Sequence, residues 1–180
     1  SSRQAVQLVK RLHAADPDLY DGFGTFRSNL LSLVGPDGAL DFYDGALRAR
    51  DADGKILVDG FAVSHYHELI REEVKPWSYM KFPFLATLGS QEGWYKVGPL
   101  ARVQNCDTIP TAWAELERQE LMAYAAHSGG GLMHASLGYH WARMIEMLFA
   151  AEAIRDLLHD DDLEGTDLIV RVEVEAVLDR

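Results

Sequence analysis

The residues able to do chemistry in this chain are few and poorly grouped for it. Cys106 is its one cysteine. A lone thiol excludes an internal disulfide and leaves any thiolate-bound metal with a single sulfur. Cys106 follows Asn105 in a loop-like stretch, and Arg102 is the nearby cation that could lower its pKa modestly. A structural cysteine is the favoured reading. His65-x-His67 suggests a chelate, but on a helix residues two apart point about 200° from each other. No third ligand stands at useful spacing, so polar surface or capping histidines are expected. Asp160-x-Asp162-x-Glu164-Gly165 imitates the first half of a calcium loop, with Arg171 where a bidentate Glu is required. Asp156-x-x-His159 falls short of a di-iron motif, and His159 is placed in a last helical turn. Gly22-Phe23-Gly24 and Gly129-Gly130-Gly131 lack the residues that complete a nucleotide loop, and His127-Ser128-Gly129 is no nucleophile elbow. On the expected long helix, Arg143 and Glu146 stand i, i+3 beside Trp141. They form either a buried pair of fixed geometry or a surface pair worth under about 1 kcal/mol.

The elements that must position these groups follow from periodicity. Ala5, Leu8, Val9 and Leu12 make a helical stripe that Asp16-Pro17-Asp18 stops. Turn dipeptides at Pro36-Asp37-Gly38, Asp44-Gly45 and Asp53-Gly54 separate β-compatible runs at Phe26–Val34, Ala39–Tyr43, Ala46–Arg50 and Lys55–Asp59. An antiparallel meander is expected. Ser64 opens a helix running to about Val74, and mostly irregular chain follows, in which Pro99 suits a strand end or edge. A third helix runs from Thr108 to about Ala126. The fourth and longest spans about Leu132 to His159 with a broad apolar stripe, and would serve a body larger than the rest of the chain can surround. From Leu168 to Val177, valines alternate with charges in a one-face-buried strand.

Composition sets the bounds. A chain of 180 residues with 48% hydrophobic content reads as one domain, residues 1–180, with a real core. A net charge of −11 argues against nucleic acid and anionic membrane as partners. No signal or transmembrane segment is read, and a reducing cytoplasm is the expected location. The chain opens Ser1-Ser2 and closes in an apolar run, and both ends read as cut.

Trp77-Ser78-Tyr79-Met80-Lys81-Phe82-Pro83, and then Tyr95-Lys96-Val97-Gly98-Pro99-Leu100-Ala101-Arg102, resemble the middle of a nickel–iron hydrogenase catalytic (large) subunit. The closest likeness is to the soluble NAD-linked bidirectional group. Trp141-Ala142-Arg143-x-x-Glu146 with Ala150-Ala151-Glu152 is similar to the family's long helix, and the likeness extends over roughly Phe26 to Leu168. The family's R-x-C-G-x-C and D-P-C-x-x-C ligand motifs are absent.

What the resemblance implies is an α+β central portion of that subunit, with an antiparallel meander and long helices, inert alone. Its parent would carry a nickel–iron centre and oxidise H2 or reduce protons with NAD(H) or another acceptor. No cofactor, catalytic residue or metal ligand falls within this chain. Gly98, Pro99, Arg102, Arg143 and Glu146 are expected to support and position ligand-bearing elements. Expected partners are diaphorase subunits and the iron–sulfur small subunit, and the terminal strand is expected to make the chain self-associate. Two alternatives stay open: a cysteine-free relative resembling the quinone-binding subunit of respiratory complex I, and a short adaptor using Glu115, Glu117 and Glu120 as contact face.

Overall fold

In the computed structural model, residues 1–128, 131–160 and 163 are described. The first helix, α1 (Ser2–Ala15), turns a face inward that differs from the predicted stripe: Val6 and His13 are buried, while Leu8 and Leu12 stay half exposed. The reason is tertiary. His13 enters an aromatic nest of Tyr20, Tyr124 and Trp141, with ring centroids 4.5 to 5.5 Å away, and this fixes the helix rotation. Asp16 both ends α1 and starts α2 (Pro17–Gly22), its carboxylate accepting the Leu19 N–H at 3.1 Å. The local sequence did not announce that second helix.

Three expected strands form: β1 (Asn29–Val34), β2 (Ala46–Arg50) and β3 (Ile56–Phe61) pair antiparallel in sequence. The run Ala39–Tyr43 does not join them. Asp41 Oδ1 accepts the N–H groups of Tyr43 and Asp44 at 2.6 and 2.8 Å, a local turn that competes with ladder formation. Ala39 makes only an isolated parallel bridge with Thr108.

The helix expected from Ser64 to Val74 is replaced. A 3-10 turn (Val63–His65) and the single turn α3 (Tyr66–Leu69) lead into β4 (Ile70–Val74), which pairs antiparallel with β5 (Lys81–Leu85) in a separate two-stranded ribbon. Ile70 and Val74 are β-branched, and cross-strand pairing overrides the weak helical periodicity. The short α4 (Gly89–Glu92) then delivers β6 (Tyr95–Lys96), which lies parallel to β1 and completes the sheet order β3-β2-β1-β6.

Gly98-Pro99 opens a helix, α5 (Pro99–Asn105), in place of the expected strand end. Pro99 takes the first helical position, where a missing N–H costs nothing, and Gly98 sits at φ +82°, open to glycine. The last two helices are α6 (Ala112–Ser128) and α7 (Gly138–Leu157). Val6, Leu100, Val103, Leu121, Ile145 and Leu148 form the core among α1, α5, α6 and α7, and Leu31, Ala49, Leu69 and Leu85 form a second cluster beside the sheet. The mixed α+β class is therefore as expected. Met147, Ile154, Leu157 and Leu158 remain exposed on and just after α7, more apolar surface than these elements cover. The expected strand Leu168–Val177 and most of the acidic loop after Asp160 lie outside the described residues. Among the described residues no helix is long and apolar enough to cross a membrane.

Candidate functional site

Helix α5 is the structural hub. Its Leu100, Ala101, Val103 and Asn105 are fully buried, and polar side chains at its end reach three neighbouring elements. The Gln104 amide donates to the carbonyls of Leu100 and Met133 at 3.0 and 3.1 Å and accepts the Met133 N–H at 2.7 Å. It thereby gives the segment before α7 the hydrogen bonds a strand would supply. Asn105 Nδ2 donates to Ser32 Oγ on β1 and to the Arg48 carbonyl on β2, at 3.0 and 3.1 Å.

Arg48 and Arg50 then converge on the end of α5. Arg48 holds Asp59 through two bonds of 2.8 and 3.1 Å, and its third nitrogen donates to the Asn105 carbonyl and to Asp107 Oδ2, both at 2.9 Å. Arg50 donates to Asp107 Oδ1 at 3.2 Å. Hydrogen bonding from Arg48 holds the Asp59 carboxyl below its ordinary range. Burial, reinforced by the neighbouring Arg48, lowers the Arg50 pKa.

Glu146 is buried on α7, as an apolar helical sector suggested, but its partner is Arg102. Arg102 Nε and Nη2 donate to the two Glu146 oxygens at 2.6 and 2.9 Å. Arg143 is exposed and makes no ion pair among the described residues, because position 143 faces away from α5. The i, i+3 pairing is thereby corrected in favour of a contact between residues 44 apart in sequence. Nearly two turns further along α7, buried Glu152 accepts the N–H groups of Trp113 and Ala114 at 3.2 and 3.0 Å, capping α6 across the helix interface.

Other polar residues escaped the sequence reading. Lys96 is 7% exposed; it donates to the Phe26 carbonyl, lies 3.8 Å from the Phe26 ring centroid, and burial lowers its pKa to about 8. Asp21 receives the Tyr124 hydroxyl at 2.5 Å and pairs with His13 Nε2 at 3.0 Å. No local motif marks either group, since each depends on residues distant in sequence. His65 and His67 are exposed, their rings 6.4 Å apart, and both lie near Glu68.

Cys106 caps α5. Its thiol donates to the Val103 carbonyl at 3.5 Å, and burial pushes it up to about 12, against the modest lowering expected from Arg102. Arg118, not Arg102, is the cation acting on it.

No protein-family model matches the chain. It is 36% identical over 169 residues to the NAD-reducing hydrogenase HoxS subunit beta of Cupriavidus necator, covering 94% of this chain and 34% of that protein. It is 36% identical over 156 residues to an iron-sulfur subunit of the F420-non-reducing hydrogenase of Archaeoglobus profundus, covering 83% of this chain and 31% of that protein. In structure it is similar to a chain in the crystal structure of an NAD+-reducing nickel–iron hydrogenase in the H2-reduced state, with TM-score 0.83 and 47% identity over 91% of this chain and 36% of the other. The chain thus spans about a third of the proteins it matches.

These names correct the finer expectations. The curated relatives are named as a beta subunit and an iron-sulfur subunit, not as the large catalytic subunit, so placement in the large subunit, with an iron–sulfur small subunit for its partner, is withdrawn. The expectation of no cofactor here and a nickel–iron centre in the parent gives way to the iron–sulfur group named for one relative. The quinone-binding alternative falls as well, because the relatives are hydrogenase subunits. An iron–sulfur cluster does not fit the residues present: one buried thiol supplies one ligand, and among the described residues no three His, Cys, Asp or Glu side chains are grouped to hold a metal. In sequence and in fold, this chain is similar to one segment of hydrogenase subunits.

Proposed function

We propose that the chain is a single-domain segment of an NAD-reducing hydrogenase subunit, in a protein that transfers electrons from H2 to NAD+. The observation that carries this reading is the joint likeness to HoxS subunit beta over 94% of the chain and to a chain of an NAD+-reducing hydrogenase at TM-score 0.83. The segment works by holding α5, α6, α7 and the sheet in one frame against other hydrogenase subunits. Gly98 and Pro99 start α5, Arg102 and Glu146 fix it to α7, and the exposed apolar surface of α7 is available for further protein. Arg143, being exposed, serves contacts with that further protein.

The test replaces the matching segment of Cupriavidus necator HoxS subunit beta with this chain and measures assembly and H2-dependent NAD+ reduction. An assembled enzyme that reduces NAD+ is expected. Assembly without NAD+ reduction would remove the NAD-linked reading, and failure to assemble would remove the subunit reading.

A further inference from the structure

A cleft of about 240 Å3 opens between the β1–β2 face, the start of α5 and the loop before β2. Leu31, Leu33, Leu47 and Val97 give it apolar walls, and Phe42 stands at its mouth. That mouth is unusually apolar for solvent: Phe42 is 48% exposed, Val97 54% and the adjacent Tyr43 94%. Such rims of aromatic side chains are typical of buried contacts in assemblies.

The charge around the mouth is one-sided. Asp41 lines the cleft, and Asp37 and Asp44 are exposed on the same loop. Among the described residues none of these three carboxylates has a cation at ion-pair distance. Asp41 Oδ1 is occupied by two backbone N–H groups, but these neutral donors leave its charge uncompensated. The one cation lining the cleft among the described residues, Arg102, is held by both oxygens of Glu146. An apolar tunnel with unpaired negative charge and an aromatic ring at its mouth suits a long side chain with a methylene stem and a cationic head.

We propose that this cleft receives a lysine or arginine side chain of another hydrogenase subunit, which rests on the proposed subunit assignment. The stem packs on Leu31, Leu47 and Val97, and the head meets Asp41 and Asp44 beside Phe42. A neutral apolar side chain would leave the carboxylates uncompensated, and an acidic one would be repelled.

Two measurements test this. In the first, the 180-residue chain is titrated with N-acetyl-arginine amide and followed by NMR. Shifts confined to Phe42, Val97 and the Asp41–Asp44 loop are expected, with none from N-acetyl-glutamate amide and none in the double variant D41N/D44N. Asn at 41 keeps the turn acceptor while removing charge. The absence of cleft-confined shifts, or equal shifts with the acidic probe, overturns the inference whatever becomes of the subunit reading. In the second, the HoxS chimaera carries D41N/D44N or Val97→Trp, with unchanged thermal unfolding of the isolated chain as the folding control. Dissociation of the assembled enzyme about tenfold or more easier, with reduced salt dependence for D41N/D44N, is expected. Assembly weakened by Val97→Trp but untouched by D41N/D44N would mean an apolar occupant and overturn the basic one. Assembly untouched by both would remove the cleft from the interface while leaving the subunit reading standing.

Discussion

Arg102 and Glu146 join α5 to α7 through a two-bond contact of 2.6 and 2.9 Å, with Glu146 9% exposed and the Arg102 side chain 27%. Removing one member of such a pair leaves the other charge with neither water nor partner, which costs more than the pair itself contributes. Glu146→Ala is therefore expected to destabilise by about 2 to 4 kcal/mol, below the fully buried limit because Arg102 keeps some solvent. Arg143→Ala should change stability by less than about 0.5 kcal/mol. Denaturant melts of the two variants check this, and similar losses in both would mean the ion pair is not where the stability lies.

Glu152 ties α6 to α7 by capping two N–H groups at a helix start. Glu152→Ala is expected to cost about 1 to 2 kcal/mol, with Glu152→Gln losing less because an amide oxygen can still accept one bond. Hydrogen exchange at the Trp113 and Ala114 amides is the direct readout. Unchanged protection of those amides in Glu152→Ala would remove the cap from the account.

The Cys106 thiol is 2% exposed and pushed up to about 12 by burial. At pH 8 it should resist iodoacetamide in the native chain and react at the rate of a free thiol in denaturant. Rapid native labelling would show that α5 opens locally. Cys106→Ala should leave iodoacetamide without a target and cost stability of the order expected for a small buried side chain, about 1 kcal/mol.

Lys96 carries a pH signature. Its folded pKa of about 8 lies below the ordinary 10.5, so between those values the unfolded chain binds a proton that the folded chain has released. Stability should therefore rise as pH rises from about 8 to about 10.5, with an upper bound of about 3 kcal/mol, and the full penalty is present below pH 8. Comparing urea midpoints of the chain and of Lys96→Met across pH 7 to 11 isolates the effect. Parallel curves would show that Lys96 reaches solvent.

The sequence by itself determined the elements whose signals are local. Turn dipeptides at Asp44-Gly45 and Asp53-Gly54 mark the β1–β2 and β2–β3 reversals, and the apolar stripe around Trp141 and Ile145 marks α7. The motifs at residues 77–83 and 95–102 carried the hydrogenase likeness, although they could not say which subunit. Tertiary structure decided what depends on a distant partner. Ile70–Val74 became a strand because Lys81–Leu85 was there to pair with it, and α1 turned Val6 and His13 inward because an aromatic nest awaited the imidazole. Glu146 could be seen as a charge on an apolar face, but spacing alone offered Arg143. The packing of α5 against α7 supplied Arg102, because a buried carboxylate takes whichever cation the packing brings within hydrogen-bond reach.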